Sequence, residues 1–156
     1  MAIADDTASP VLRRGLLWLA AVTSAGIGVE LAADRHWTQP VQLVAWMALG
    51  AIALALFLVA VNPTRPKLWL ARLLVIIVML SAVWGIWEHV YANYDAGGLD
   101  FEYTNTWDGL AESTRWWLAV TKTVGPSPPL APGALAQASL AVLIATLRHP
   151  MLHKTP

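Results

Sequence analysis

Ten carboxylates and four histidines carry most of the capacity for proton or metal chemistry in this 156-residue chain, which contains no cysteine. Glu30, Glu88 and His89 stand out among them because each lies at the end of a strongly apolar run. An ionisable group in hydrocarbon is costly, so it is a functional candidate by default. Carboxylates with one or two imidazoles form a ligand set for zinc, manganese or iron, which makes Glu30, His89 and Glu102 the candidate metal ligands. Glu88 and Asn93 extend them to a candidate ligand-binding group, and Asp34, His36, Asp95 and Asp100 can crowd the same region. The spacing matches no compact motif such as His-Glu-x-x-His. The competing reading is structural: Glu30 pairs with Arg35 or the following loop, while Glu88 and His89 cap a helix.

No catalytic residue can be assigned. Ser24, Ser81, Ser113, Ser127 and Ser139 include no Gly-x-Ser-x-Gly elbow. The lack of cysteine excludes thiolate nucleophiles, iron–sulfur clusters and Cys-based zinc sites. Haem is disfavoured, because His36 and His89 are the only pair on one side and His36 falls beyond its helix end. The cofactor is thus unassigned: a divalent metal or a proton-linked site is the first candidate, and an organic ligand or a lipid headgroup is the remaining alternative. The tryptophans could stack a quinone or a sugar, but anchoring at a membrane interface is their commoner use.

The elements that must position these residues are apolar. With 57% hydrophobic and 13% charged residues, the chain lies far from the soluble average of about a quarter charged. Residues 15–33, 43–61, 68–87 and 130–147 each approach the ~20 residues needed to cross a bilayer core. Their spacing predicts an all-α fold: an antiparallel four-helix transmembrane bundle with an outer interfacial amphipathic helix, built as a single membrane domain over residues 1–156. Residues 1–14 form a cytoplasmic tail in this reading, and residues 88–129 an outer loop. A signal peptide is the alternative reading of Arg13-Arg14 and the run that follows, although that run is long for an h-region of ~7–15 residues.

Charge gives the expected direction. Arg13, Arg14, Arg65, Lys67, Arg72, Arg148 and Lys154 lie on the side of the two termini, whereas most acids lie at or beyond the opposite ends. The positive-inside rule makes the side of the termini cytoplasmic, so the expectation is a multi-pass cell-membrane protein with both termini inside. No basic surface with interleaved aromatics points to nucleic acid.

Within the outer loop, Asn105 is a candidate cap with Asp108 at the third position. Trp107, Leu110, Ala111, Thr114, Trp117 and Leu118 follow at helical spacing, with Asp108, Glu112 and Arg115 on the other face. Residues 125–129, Gly-Pro-Ser-Pro-Pro, make a stiff return to the fourth helix. Ala134, Ala138, Ala141 and Ala145 line a small-residue seam there. Thr23, Gly26 and Glu30 form a comparable stripe on the first helix, and Ser81, Gly85 and Glu88 on the third. These stripes are expected to face inward, and Glu30 and His89 are expected to approach each other.

Glu30, Trp87-Glu88-His89 with Asn93, Phe101-Glu102, Pro129-Leu130-Ala131-Pro132-Gly133 and Arg148-His149-Pro150 together resemble a group of small four-helix bacterial membrane proteins. The resemblance implies a bacterial cytoplasmic-membrane location and no reaction. The leading functional expectation is a non-enzymatic accessory or interaction protein working through an acidic outer mouth. Its partners would be the lipid bilayer and either a second copy or a partner membrane subunit. The alternatives are a metal- or cofactor-binding membrane protein using Glu30, His89 and Glu102, and a small oligomeric transporter or channel.

Overall fold

The computed structural model describes residues 8–147 and 149–153. Residues 1–7 of the expected tail, Arg148 and Lys154 lie outside the described residues. The described residues form six α-helices: α1 Ala8–Ala33, α2 Leu43–Ala60, α3 Arg65–Ala96, α4 Glu112–Val120, α5 Gly133–Thr146 and the short α6 Pro150–His153. No strand occurs among the described residues. Three segments, Pro10–Ala33, Pro40–Ala60 and Arg65–Leu99, are long and apolar enough to cross a membrane, and at most 28% of each apolar window is buried. Met47, Leu80 and Val83 are among the large apolar side chains that face outward. Soluble monomers rarely expose apolar surface on this scale, so the chain has the character of a membrane protein with several spans.

The helix boundaries correct the sequence expectation at three places. α1 begins at Ala8, so residues 8–14 are helical and continuous with the first apolar helix, whose expected start is residue 15. Pro10 does not prevent this, because a first-turn residue needs no backbone N–H donor. The expected inner turn at residues 64–67 shrinks for the same reason, with Pro66 inside the first turn of α3. Lys67 Nζ donates instead to the carbonyls of Val61 and Asn62 at 3.4 and 3.3 Å. A cation there suits the negative end of α2. At its other end α3 runs on to Ala96, because nothing interrupts the helix before Gly97-Gly98. Its 32 residues reach about 48 Å, well beyond the ~30 Å of a hydrocarbon core.

The chain packs as two compact units, one of Met1–Ser81 with Ala134–Pro156 and one of Ala82–Gly133. In the first, Ala20 of α1, Ile52 and Ala55 of α2, Val75 of α3 and Val142 of α5 join a single buried cluster. The alanine seam of α5 contributes Ala138 and Ala141 to that cluster and also buries Ala145. These three alanines are spent within the unit, and Ala134 is half-buried. The stripe expected to face inward on α1 does not do so: Thr23 is half-buried, and Gly26 and Glu30 are exposed. α1 packs instead through Leu16, Leu17 and Ile27 against the buried cluster, while Trp18, Val22 and Val29 face outward.

The second unit is built on aromatic rings. Trp116 of α4 stacks on Tyr94 at a centroid distance of 4.2 Å and on Trp87 at 5.5 Å, and Trp107 meets Tyr94 edge-on at 5.7 Å. The continuous amphipathic helix expected from Trp107 is replaced by a 3-10 turn, Trp107–Gly109, followed by α4. Ala111, not Asn105, occupies the position before α4. The extended Leu110 and Ala111 backbones rotate the aromatic pattern, so Trp116 packs inward while Trp117 is 67% exposed.

Candidate functional site

Asn93 organises the second unit. Its side chain is fully buried, and Nδ2 donates to the carbonyls of Ala119 at 3.2 Å and Ser127 at 2.7 Å. In return Oδ1 accepts from Ser127 N at 2.8 Å. The amide thus ties α3 both to the end of α4 and to the proline-rich return. Gly125 makes this approach possible: it has φ +79°, and an added Cβ would overlap Asn93. A second close approach lies at Gly97, where the Trp107 ring occupies the space of a side chain.

His89, one helical turn before Asn93, is half-buried, and its Nδ1 lies 2.7 Å from the carbonyl oxygen of Pro128. A carbonyl can only accept, so Nδ1 carries the proton and donates. The imidazole is thereby oriented, and Nε2 keeps a lone pair when the ring is neutral. Glu88 is half-buried beside it, whereas Glu102 is exposed.

Glu102 belongs to an ordered turn. Asp100 Oδ1 accepts from Glu102 N at 3.0 Å, and Thr104 Oγ1 donates to the Gly98 carbonyl at 2.9 Å. Tyr103 N and Thr104 N both donate to Asp100 O, at 3.1 and 2.8 Å. On this turn Phe101 is 100% exposed and Leu99 85%, between and beside the carboxylates of Asp100 and Glu102.

Glu30 belongs to the first unit, near the end of α1, while Glu88, His89, Asn93 and Glu102 belong to the second. Among the described residues, no three His, Asp or Glu side chains group as a metal site would require.

The first unit holds a cluster that sequence reading had used only for topology. Arg13 Nε donates to the Ala145 carbonyl at 3.1 Å. Arg72 Nε donates to Thr146 Oγ1 at 3.0 Å, and its Nη2 donates to the Thr146 carbonyl at 2.8 Å. Two guanidiniums thus satisfy carbonyls that the end of α5 leaves open. Arg72 also lies 4.9 Å from the centre of the Trp69 ring. His149 is buried nearby, and burial followed by the charges of Arg13 and Arg72 lowers its pKa below the ordinary 6.5. Its Nδ1 accepts from Met151 N at 3.3 Å, which requires that nitrogen to be unprotonated. The seven-position step from Arg65 to Arg72 was the available sequence signal, since it carries Arg72 about 10 Å along α3, too deep for a freely hydrated cation.

Compared with known proteins, the chain matches no family model, no curated protein and no solved structure.

Proposed function

We propose that this chain is a non-catalytic accessory protein of the bacterial cytoplasmic membrane that docks a partner protein through residues 99–102. The observation carrying this reading is the full exposure of Phe101 on a hydrogen-bonded turn, beside exposed Leu99. An apolar pair displayed by an ordered backbone loses little conformational freedom on binding. The flanking Asp100 and Glu102 select a partner pocket edged by Lys or Arg. They also oppose insertion of Phe101 into lipid, because the carboxylates would have to follow it toward hydrocarbon.

The proposed topology has four crossings, both termini cytoplasmic and residues 88–129 outside. Three long apolar helices support it, as does the basic bias of Arg13, Arg14, Arg65, Lys67 and Arg72. The contacts of Arg13 and Arg72 with the last turn of α5 support the return of the chain to the side on which α1 and α3 begin. α5 itself has 14 residues, about 21 Å, so its crossing uses the flanking residues 130–132 and 147. Asp100→Cys should be labelled by an impermeant thiol reagent in intact cells and Thr64→Cys protected; the reverse pattern rejects the topology.

The docking reading is tested by purifying the full chain in mild detergent and measuring which protein accompanies it stoichiometrically. Phe101→Ser should release that protein, and Glu102→Lys should weaken its retention at least fivefold at low salt. Co-purification insensitive to both changes rejects the reading. A companion with the mass of this chain identifies a second copy as the partner.

A second reading is favoured by the Nδ1 contact of His89, which leaves Nε2 presented to a cation or proton. Zinc titration of the wild-type chain and His89→Asn, followed by tryptophan fluorescence, tests it; identical curves reject it.

A further inference from the structure

An apolar groove of about 480 Å³ runs between α3 and α5 in the first unit, within the ~300–1,000 Å³ common for ligand sites. Leu73 and Ile76 form one wall and Leu140 and Ile144 the other, while Trp69 and Arg72 close one end. That end is defined by the Arg72 bonds to Thr146. From it the groove follows the apolar side chains of α3 and α5, which lead toward the bilayer interior in the proposed topology.

Among the described residues, no carboxylate pairs with the charge at this end. Arg72 uses Nε and one Nη2 proton on Thr146, which leaves Nη1 and a second Nη2 proton to donate. Arg13 brings a second cation to the same helix end. Neither guanidinium pairs with a carboxylate among the described residues. The C-terminal dipole of α5 offsets only about half an elementary charge. A cationic end joined to a lipid-facing apolar channel complements a molecule that is anionic at one end and hydrocarbon along its length.

We propose that the α3–α5 groove binds a phospholipid of net negative charge, with its phosphate on Arg72 and one acyl chain lying between Leu73 and Ile144. The planar guanidinium suits bidentate contact with phosphate oxygens. Trp69, stacked on the same guanidinium, lies where indole rings favour the headgroup level. The site is independent of the docking turn at Phe101, so either can fail without the other.

The test is native mass spectrometry of the full-length protein in detergent, titrated with phosphatidylglycerol or phosphatidylcholine bearing identical chains. The wild type should bind phosphatidylglycerol at least about fivefold more tightly, as expected when Arg or Lys near the surface meets anionic lipid. Arg72→Gln should reduce that preference below twofold. Ile144→Trp, which fills the channel and leaves both arginines in place, should weaken phosphatidylglycerol binding at least fivefold; it provides the test if Arg72→Gln does not fold. Soluble glycerol phosphate at millimolar concentration should not displace the lipid. Equal affinity for the two lipids, indifference to Ile144→Trp, or displacement by glycerol phosphate would overturn the proposal. So would a detergent-stable dimer cross-linked through Ile144→Cys, because a second copy would then cover the groove.

Discussion

Asn93 and Ser127, 34 positions apart, exchange two hydrogen bonds of 2.7 and 2.8 Å through one buried carboxamide. This pairing turns a proline-rich connection into a fixed part of the second unit. Each buried polar group left unpaired costs about 1–3 kcal/mol. Asn93→Ala strands Ser127 N and the Ser127 carbonyl, while the Ala119 carbonyl keeps the N–H of Lys122, so it should destabilise residues 82–133 by at least about 2 kcal/mol. Hydrogen exchange across residues 119–129 measures this, and unchanged protection contradicts it.

Gly125→Ala and Gly97→Ala should each loosen the same unit by a different route. At Gly125 the new methyl group meets Asn93 on a backbone with φ +79°, and an incompatible backbone costs more than the ~1 kcal/mol that a compatible Gly→Ala change can yield. At Gly97 it displaces the Trp107 ring. The fluorine resonance of Trp107 in fluorotryptophan-labelled protein, assigned by its loss in Trp107→Phe, should shift in Gly97→Ala; an unshifted resonance argues against the packing.

Trp116→Ala should cost about 3–5 kcal/mol, the range for truncating a packed aromatic, because the ring stacks on both Tyr94 and Trp87. Trp117→Ala should change the melting temperature little, since that ring contributes much less to the interior of the unit. Equal effects of the two substitutions would contradict the observed phase of α4.

This phase marks where sequence reading stopped. The apolar runs that became α1 and α2 were legible because length and composition alone determine whether a helix suits a bilayer. The face of α4 was not, since the extended Leu110 and Ala111 backbones break the period that a helical wheel assumes. Glu30 was legible as an unusual acid, but periodicity gave no basis for its exposure: small residues near it suggested an inward stripe, whereas α1 packs on larger apolar groups. Asn93 was picked out within the candidate ligand group. Its partners, Ala119 and Ser127, are backbone groups that carry no side-chain signal.

His149 gives the first unit a pH dependence of known sign. Its folded pKa lies below the unfolded value of 6.5, through burial first and then the charges of Arg13 and Arg72. The unfolded chain therefore binds the proton more readily, and stability rises with pH between the folded pKa and 6.5. The stabilising contribution is complete above 6.5 and is lost as pH falls through the folded value. Melting temperatures from pH 7.5 to 5 should fall less steeply in His149→Gln than in the wild type; parallel curves contradict the assignment.

The most direct test of the docking proposal is site-specific photo-cross-linking in intact cells, with a benzophenone amino acid at Phe101 and, for comparison, at Trp117. The Phe101 probe should yield one discrete protein adduct that disappears when Glu102→Lys is added, whereas the Trp117 probe should not yield that adduct. Lipid adducts alone at Phe101, or the same protein adduct from both positions, would contradict the proposal that this turn is the docking element.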